Sequence, residues 1–355
     1  MSLLRRSPPG APATPAAPAG TLVHPRDALF DEGEARVDPL PVCDHYAGVE
    51  ERMRKSLALQ REMGPVFDVT LDCEDGAPVG GEREHAALVA ELLGSADNAF
   101  GRVGARLLDI THPAFGDVLH TLVAKAGARV AYLMLPKLRG AADFELAARA
   151  VDAAAASAGI DRAIPLHALV ETHGALREVQ ALAAQPRLQS ISFGLMDFVS
   201  AHRGAIPSSA MSAKGQFEHP LVLRAKLEIA AACHAFGKTP SHCVVTEFKR
   251  ASAVQEAATK ASRLYGYTRM WSIHPSQIQP IVDAFTPPAA EVDLAIEIIG
   301  AAQRAGWAPI RHHDTLHDRA SYRYFWDVLE RAHRTSYDGG LQLPGEVLAT
   351  WFSEA

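Results

Sequence analysis

Residues 164–197 read IPLHALVETHGALREVQALAAQPRLQSISFGLMD and contain two short apolar runs, Leu166–Val170 and Leu188–Phe193. Between these runs, Gly174–Ala184 carries apolar residues at three-residue spacing, which predicts a helix. A strand, a helix and a second strand within about thirty residues form a βαβ unit, whose two strands are parallel and usually neighbours. The segment therefore favours an α/β fold.

Each apolar run is followed by a carboxylate, Glu171 after the first run and Asp197 shortly after the second. In such folds, the side chains that carry out chemistry lie at the carboxyl ends of the strands, which meet on one side of the sheet. We therefore expect these two carboxylates to converge on one mouth.

The rest of the chain repeats this alternation. About eight predicted strands alternate with helices at roughly 25–35 residues per unit, which is the pattern of a (β/α)8 TIM barrel. An open doubly wound sheet is the alternative, but no G-x-G-x-x-G follows the early strands. We predict a disordered Pro/Ala-rich tail at 1–20, a barrel at 21–287, and a C-terminal helical extension at 288–355 that covers a neighbouring subunit.

The composition excludes several classes of protein. The 355 residues are 48% hydrophobic and 21% charged, and their formal net charge of -6 argues against a nucleic-acid-binding surface. No run of about eighteen apolar residues is present, so we expect no membrane span. The four cysteines are scattered without a C-x-x-C pair, which indicates a cytoplasmic protein without a disulfide framework or a zinc finger.

Further charged residues lie at the other predicted strand ends. So much charge in one mouth is costly unless a cation and an anionic substrate complete it. Ligand atoms that are all oxygen suit Mg²⁺, with Mn²⁺ as the substitute, and Mg²⁺ typically takes one or two carboxylates. Glu171 and Asp197 fit that ligand set. The other strand-end residues are Asp72, Glu74, Asp75, Arg106, Lys137 and His274.

These strand-end residues have different expected roles. Asp72 still lies in the strand pattern, and we expect it to be a turn former. Glu74 or Asp75 would hold a water that acts as the general base, while Lys137 would stabilise an enolate or a neighbouring acid. His274 precedes a Pro-Ser pair, which is typical of the start of a helix.

Five short motifs follow one another along the chain. They are LDCEDGA at 71–77, LPK at 135–137, VET at 170–172, FGLMDF at 193–198 and SIHPSQI at 272–278. In this order and spacing, they resemble the motifs of the HpcH/HpaI aldolase and citrate lyase β-subunit family, which includes malyl-CoA lyases. The resemblance covers about residues 65–287.

The resemblance implies a (β/α)8 barrel, a Mg²⁺ ion on Glu171 and Asp197, and an arginine that binds the substrate carboxylate. Family members carry this arginine in an R-[VI]-N strand end. The candidates here are Arg102 and Arg106, neither of which is followed by the family asparagine. We prefer Arg106 because it lies nearer the end of its strand.

Malyl-CoA and citramalyl-CoA members of the family also have a C-terminal G-x-x-x-D segment, which supplies an acid to the neighbouring subunit's site. Here no clean match follows the predicted helix, and Asp314 and Asp318 are the candidates for that position. The His312-His313 pair nearby is expected to be solvated, because no third His or Cys lies at metal-ligand spacing.

The resulting hypothesis is a Mg²⁺-dependent carbon–carbon lyase of the aldolase or retro-Claisen type. Its substrate would be a 2-hydroxy or 2-oxo carboxylic acid or its CoA thioester, cleaved through a metal-stabilised enolate, and the chain would form a homo-oligomer (a trimer or a hexamer). One alternative is a non-catalytic or regulatory metabolite-binding subunit of a citrate-lyase-like complex. The other is phosphoryl or phosphonate chemistry, which would need a phosphate-binding loop that the sequence lacks.

Overall fold

In the part of the chain that the computed structural model describes, residues 22–31, 39–77 and 79–353, eight parallel strands close into one barrel. Each strand pairs with the next along the chain, and the last pairs with the first. The predicted TIM barrel is therefore confirmed, while the tail predicted at 1–20 lies outside the described residues. The strands are β1 (Cys43–Ala47), β2 (Phe67–Asp72), β3 (Val103–Arg106), β4 (Leu133–Leu135), β5 (Leu166–Val170), β6 (Leu188–Phe193), β7 (Thr239–His242) and β8 (Arg269–Ser272).

Helices connect the strands and cover the outside of the barrel. Nearly every strand residue is buried, because one face of each strand packs on these helices and the other faces the barrel interior. The helices are Glu50–Met63, Glu82–Gly94, Phe115–Ala126, Ala141–Ser157, His173–Arg177, Val179–Ala183, Leu195–Ser200, Pro220–Ala235, Ala251–Leu264 and Ile278–Phe285, with 3-10 turns at Ser208–Met211, Gly215–Phe217 and Pro275–Gln277.

The central βαβ unit has the predicted strands, but its helix is broken. Two short helices, His173–Arg177 and Val179–Ala183, replace the single predicted one. They are separated at Glu178, whose backbone leaves the helical region with φ -106° and ψ 19°. The Glu178 carboxylate accepts a hydrogen bond from the backbone N–H of Ala141, at 3.0 Å. This long-range contact was not visible in the local apolar spacing.

Two other elements also differ from the sequence prediction. The partly apolar stretch 242–246 predicts the seventh strand, but β7 begins three residues earlier, at Thr239. It includes Pro240, which pairs with Ile191 of β6. Residues 198–216 are polar and rich in Gly and Ser, which predicts a long loop, but they begin inside the helix Leu195–Ser200 and continue through two 3-10 turns.

A buried ionic cluster fills the barrel interior near the amino ends of the strands. The Arg269 guanidinium lies 2.6 Å from Asp68 and 3.1 Å from Asp44, and all three side chains are almost completely inaccessible. Removing either kind of charge would leave the other buried and uncompensated, which typically costs about 3–5 kcal/mol. Local sequence patterns do not predict this cluster, because its members are more than 20 residues apart in the chain.

The described chain falls into two units. The barrel unit consists of residues 39–77, 79–287 and 334–342. The second unit consists of residues 22–31, 288–333 and 343–353. In the second unit, Trp326 stacks on Phe352 with ring centroids 5.3 Å apart. Its elements are helices Pro25–Leu29, Ala289–Arg304, Arg319–Arg334 and Gly345–Val347, strands β9 (Ile310–His312) and β10 (Thr315–His317), and the π-helical turn Leu348–Phe352.

Each helix in the described ranges is too short or too polar to span a membrane.

A buried lysine makes the stability of the barrel depend on pH. Lys226 is fully buried and donates hydrogen bonds to Gln216 and His242, each at 2.8 Å. Burial lowers the pKa of Lys226 from 10.5 to about 8. Between these two values the folded chain binds fewer protons than the unfolded chain, so the free-energy cost of burying this group falls progressively as the pH rises.

In the unmodified chain, this group raises the free energy of unfolding by about 1.4 kcal/mol per pH unit between roughly pH 8 and 10. We expect Lys226→Met to abolish this increase. Urea unfolding of both proteins at pH 7.5 and 9.5 measures this difference. Lys125→Met, which changes an exposed lysine, is the matched control and should follow the unmodified protein. Identical pH dependence in Lys226→Met and the unmodified chain would contradict the prediction.

Candidate active site

A cavity of about 390 Å³ opens at the carboxyl ends of the barrel strands. Five of the residues expected at strand ends line it, whereas Glu74 and Lys137 are not among its lining residues and His274 lines a neighbouring cavity. Both predicted metal-binding carboxylates therefore face the same space. The lining includes Tyr46, Arg52, Asp72, Asp75, Arg106, Leu169, Glu171, Met196, Asp197, Val244, Thr246 and Trp271.

Glu171 is held in place by the pairing of β5 with its neighbours. It is the first residue after β5 and is 3% exposed. The backbone N–H of Lys137, just beyond β4, donates to its Oε1 at 2.7 Å. On the other side, the N–H of Gly194 donates to the Val170 carbonyl at 3.0 Å, which places the Gly194 backbone against the carboxylate.

Electrostatics at this corner favour the binding of a cation. Burial is the main cause that raises the pKa of Glu171 to about 8, and the Asp197 carboxylate raises it too, against the N–H of Lys137. Asp197 lies in the first turn of the helix Leu195–Ser200 and is half-buried. Arg106 and Lys137 are bound to other acids, so the two carboxylates repel each other unless one is protonated or a cation joins them.

Arg106 and Asp72 form a buried fork at the ends of β2 and β3. The two residues pair directly in the strand register. Nε of Arg106 donates to Oδ1 of Asp72 at 2.7 Å and Nη2 donates to Oδ2 at 2.5 Å, which is bidentate geometry. Asp72 also accepts from the N–H groups of Glu74 and Gly76, at 2.9 and 2.8 Å. It is therefore the expected turn former and, in addition, the residue that orients Arg106.

Glu74 connects the two cations at the mouth. Its carboxylate lies 3.2 Å from Nη1 of Arg106 and also binds the Lys137 ammonium. Lys137 Nζ lies 2.9 Å from Asp75, and its backbone occupies the left-handed region with φ 49°. Partial burial raises the pKa of Asp75, but the hydrogen bond from Lys137 outweighs it, so the net shift is downward. Burial raises the pKa of Glu74.

The two candidate arginines lie at opposite ends of the barrel. Arg106 lines the cavity at the carboxyl ends, beside Tyr46, with its guanidinium carbon 5.4 Å from the ring centre. Arg102 precedes β3 and lines a separate cavity with Asp68 and Arg162, near the amino ends of the strands. Only Arg106 is therefore placed to contact a molecule beside Glu171.

Several residues of the cavity wall were missed by the sequence reasoning. Tyr46 on β1 stacks on Trp271 of β8 with ring centroids 4.3 Å apart. The Tyr46 hydroxyl is buried and has no hydrogen-bond partner among the described residues. Each ring lies two residues after an interior charged residue of its strand, Asp44 on β1 and Arg269 on β8. Residues two apart on a strand share a face, so this spacing could have predicted that both rings point into the barrel.

The remaining candidates have clear local roles. His274 caps the turn Pro275–Gln277, as predicted, since its Nδ1 accepts from the N–H of Ser276 at 3.2 Å. Asp318 accepts from the N–H groups at the start of the helix Arg319–Arg334, and Asp314 pairs with Arg311 in the β9–β10 turn.

The expectation that the His312-His313 pair is solvated is correct only for His313. The His313 side chain is 79% exposed, but that of His312 is 20% exposed.

Comparison with known proteins identifies the family. The family model described as HpcH/HpaI aldolase/citrate lyase matches residues 67–275. The chain belongs to this family. Its membership confirms the family expected from the ordered motifs, together with the expected class of carbon–carbon lyase.

Similar proteins align with much of the chain. The L-malyl-CoA/beta-methylmalyl-CoA lyase of Cereibacter sphaeroides is 25% identical over 250 residues, which cover 67% of this chain and 77% of that protein. A citrate lyase of Burkholderia xenovorans LB400 has a crystal structure with 53% identity and a TM-score of 0.79, covering 94% of this chain and all of that one.

CitE of Mycobacterium tuberculosis, solved in complex with magnesium, acetoacetate and coenzyme A, is 21% identical. Its TM-score is 0.63, and the match covers 82% of this chain and 98% of that one. This likeness supports the fold.

Proposed function

We propose that this family member is a Mg²⁺-dependent lyase that cleaves the carbon–carbon bond of a 2-hydroxy carboxylic acid carried as a CoA thioester. The observation that carries the proposal is the meeting of two carboxylates, Glu171 and Asp197, with one oriented arginine, Arg106, on the wall of a single cavity. Such a site can hold a cation and a carboxylate substrate side by side.

The residues present fit a Mg²⁺ ion. Glu171 and Asp197 offer only carboxylate oxygens, which are the hard ligands that Mg²⁺ prefers, and two protein ligands leave positions for water and substrate. A divalent cation would also remove the repulsion that helps to raise the pKa of Glu171. When bound, Mg²⁺ would act as a Lewis acid that polarises the substrate oxygen on the carbon to be cleaved.

Arg106 binds the substrate carboxylate in this proposal. A guanidinium has five N–H donors, and Asp72 accepts from two nitrogens of Arg106, Nε and Nη2. The Glu74 carboxylate lies 3.2 Å from Nη1, and in this proposal a carboxylate in the cavity binds the N–H groups of Nη1 and Nη2 that these two acids do not use. Asp72 and Glu74 fix the position of Arg106 before substrate binds. The Arg106 side chain therefore has to reorient little when it binds the substrate carboxylate.

Asp75 is the carboxylate that we assign to accept the hydroxyl proton, because it lies on the cavity wall. Loss of that proton allows the adjacent carbon–carbon bond to break, so that the hydroxyl carbon becomes a carbonyl. The bonding electron pair passes to the other fragment as a thioester enolate. Lys137 keeps Asp75 ionised, and Glu74 positions Lys137 and Arg106 through its ion pairs with both.

A second cavity supports a CoA thioester rather than a free acid as substrate. It has a volume of about 520 Å³ and shares Tyr46, Arg52 and Ile273 with the first cavity. Its lining adds the cation of Lys55 and the ring of Phe248. Cationic groups beside an aromatic ring suit the phosphates and the adenine of a nucleotide carrier.

The purified chain tests this function with Mg²⁺ and a panel of hydroxyacyl-CoA thioesters and their free acids. We expect a 2-oxo acid to form, detected as its phenylhydrazone, only with the thioester and only when the metal is present. A thiol reagent should detect no stoichiometric release of free CoA, because hydrolysis would release it and cleavage does not. Mg²⁺-dependent binding of the thioesters without any product would favour the regulatory-subunit alternative.

The close approach of Gly194 to Glu171 gives a local test of the metal ligand. A Cβ built on Gly194 would lie 2.6 Å from Cβ of Glu171 and nearer still to its Oε2. The backbone itself is unstrained, with φ -89°. We expect Gly194→Ala to displace the carboxylate and to weaken Mg²⁺ binding about tenfold without unfolding the chain.

Isothermal titration with Mg²⁺ measures this effect, and circular dichroism checks the fold. Gly116→Ala is the matched control, because a Cβ there meets nothing within 4 Å. Unchanged Mg²⁺ affinity in Gly194→Ala would remove Glu171 from the ligand set.

The proposal also includes the assembly and the compartment of the chain. A homo-oligomer (a trimer or a hexamer) would bury exposed apolar residues of the second unit, such as Leu316, which is 72% exposed. Four buried free cysteines fit the reducing cytoplasm. Light scattering of the purified chain tests the assembly, and a monomer at micromolar concentration would contradict it.

A further inference from the structure

A group of metal-ligand side chains lies in the second unit. Glu297 on the helix Ala289–Arg304 meets His312 and His313 of the β9–β10 hairpin. Nε2 of His312 is 3.0 Å from Oε2 of Glu297, and Nε2 of His313 is 3.8 Å from the same oxygen. One ligand atom from each of the three residues lies within 4.8 Å of the others.

The contact between His312 and Glu297 is not a hydrogen bond. Nε2 of His312 is buried and has no hydrogen-bond partner among the described residues, although the Glu297 oxygen is close. A buried polar atom that is left unsatisfied typically costs about 1–3 kcal/mol. A ligand between the imidazole and the carboxylate would satisfy both atoms.

The hairpin places both imidazoles beside the same carboxylate. His312 is paired with Thr315, so His313 and Asp314 form a two-residue turn. Both turn residues have left-handed backbones, with φ 43° and 61°, which a two-residue hairpin turn requires and which His and Asp adopt more often than most residues. The turn therefore holds both imidazoles beside Glu297.

The distances are close to those of a tetrahedral site. Bonds of about 2.0–2.2 Å to nitrogen and oxygen in a tetrahedron separate neighbouring ligand atoms by roughly 3.3–3.6 Å. The observed separations of 3.0 and 3.8 Å lie on either side of that range. Two imidazole nitrogens and one carboxylate oxygen suit Zn²⁺ rather than Mg²⁺.

We propose that Glu297, His312 and His313 form a second metal site that binds Zn²⁺ or a similar divalent transition metal, with water as the fourth ligand. The metal links the hairpin to the helix Ala289–Arg304 and stabilises the second unit. Local spacing does not predict this site, because no third His or Cys lies at ligand spacing from the histidine pair and the third ligand is a glutamate fifteen residues before His312. The proposal does not depend on the lyase activity.

The experiment uses the full-length, tag-free chain in excess Mg²⁺, which occupies the proposed barrel site. Equilibrium dialysis with Zn²⁺, followed by elemental analysis, measures the stoichiometry. The variants are His313→Gln, at an exposed side chain that the fold does not need, and Glu297→Gln. His120→Gln removes an exposed imidazole elsewhere, and Asp197→Asn alters the barrel site, so these two are the matched controls.

We expect one equivalent of Zn²⁺ in the unmodified chain and in both controls, with an affinity at least about tenfold weaker in His313→Gln and Glu297→Gln. Co²⁺ in place of Zn²⁺ should give the intense visible absorption of a tetrahedral site, and Zn²⁺ should raise the unfolding temperature of the unmodified chain only where the site is intact. Absence of Zn²⁺ binding, equal affinity in the two site variants, or loss of binding in Asp197→Asn would overturn the proposal.

Discussion

Alanine at position 171 or 197 should reduce the turnover of the lyase reaction at least about a hundredfold. Glu171 and Asp197 both line the cavity, and in the proposed function they hold the Mg²⁺ ion. Loss of one such electrostatic contact with the transition state typically costs about 3–4 kcal/mol of barrier. Steady-state kinetics at saturating Mg²⁺ measure the effect on kcat, and titration with Mg²⁺ measures the affinity.

The amide variants separate charge from shape. Glu171→Gln and Asp197→Asn keep the side-chain volume, so activity losses as large as those of the alanine variants would assign the effect to charge. Glu256→Ala removes an exposed carboxylate from the outer helix Ala251–Leu264 and should retain full activity. Near-normal turnover of both alanine variants after metal removal would refute the metal assignment.

Arg106→Lys should lower kcat/KM at least about a hundredfold while keeping the positive charge. Lysine is a point charge without the planar fork that binds Asp72 on one side and a carboxylate on the other. A misplaced contact of this kind can alone cost about a hundredfold in rate. Arg106→Met would also leave Asp72 buried and unpaired, at an expected cost of about 3–5 kcal/mol of folding stability.

The matched control for this prediction is Arg102→Lys. Arg102 lies only four residues earlier, but it lines the cavity near the amino ends of the strands. We expect its kcat/KM to stay within about threefold of that of the unmodified chain, since surface changes away from a site seldom exceed about 0.5 kcal/mol. Equal losses in the two lysine variants would show that Arg106 has no special position, and unchanged activity in Arg106→Lys would remove it from substrate binding.

The charged residues at the mouth form a connected chain rather than a set of separate pairs. Asp72 holds Arg106, Glu74 lies between Arg106 and Lys137, and Lys137 binds Asp75 through its ammonium and Glu171 through its backbone. Each cation therefore has acids on both sides, which fixes its position before substrate arrives. The arrangement leaves Glu171 and Asp197 as the acids to which these two cations form no salt bridge.

Local patterns in the sequence were sufficient for most of the strands and helices and for the family. The apolar runs Leu166–Val170 and Leu188–Phe193 are β5 and β6 at the predicted bounds, because a buried parallel strand needs a short apolar run and each run had one. The prediction of one continuous helix over Gly174–Ala184 was wrong, since the helix breaks at Glu178, and the predicted position of β7 was also wrong. Both depend on contacts with distant segments, the N–H of Ala141 in one case and the pairing of Pro240 with Ile191 in the other.

By itself, the sequence determined which residues end the strands, because a strand end is marked locally by where an apolar run meets polar residues. Only the tertiary structure decided which of those residues meet, since strand register and barrel closure join positions far apart in the chain. It paired Asp72 with Arg106, left Glu74 and Lys137 out of the cavity lining, and included Tyr46 and Trp271 in that lining. It also joined Glu297 to the two histidines of the hairpin, for the same reason.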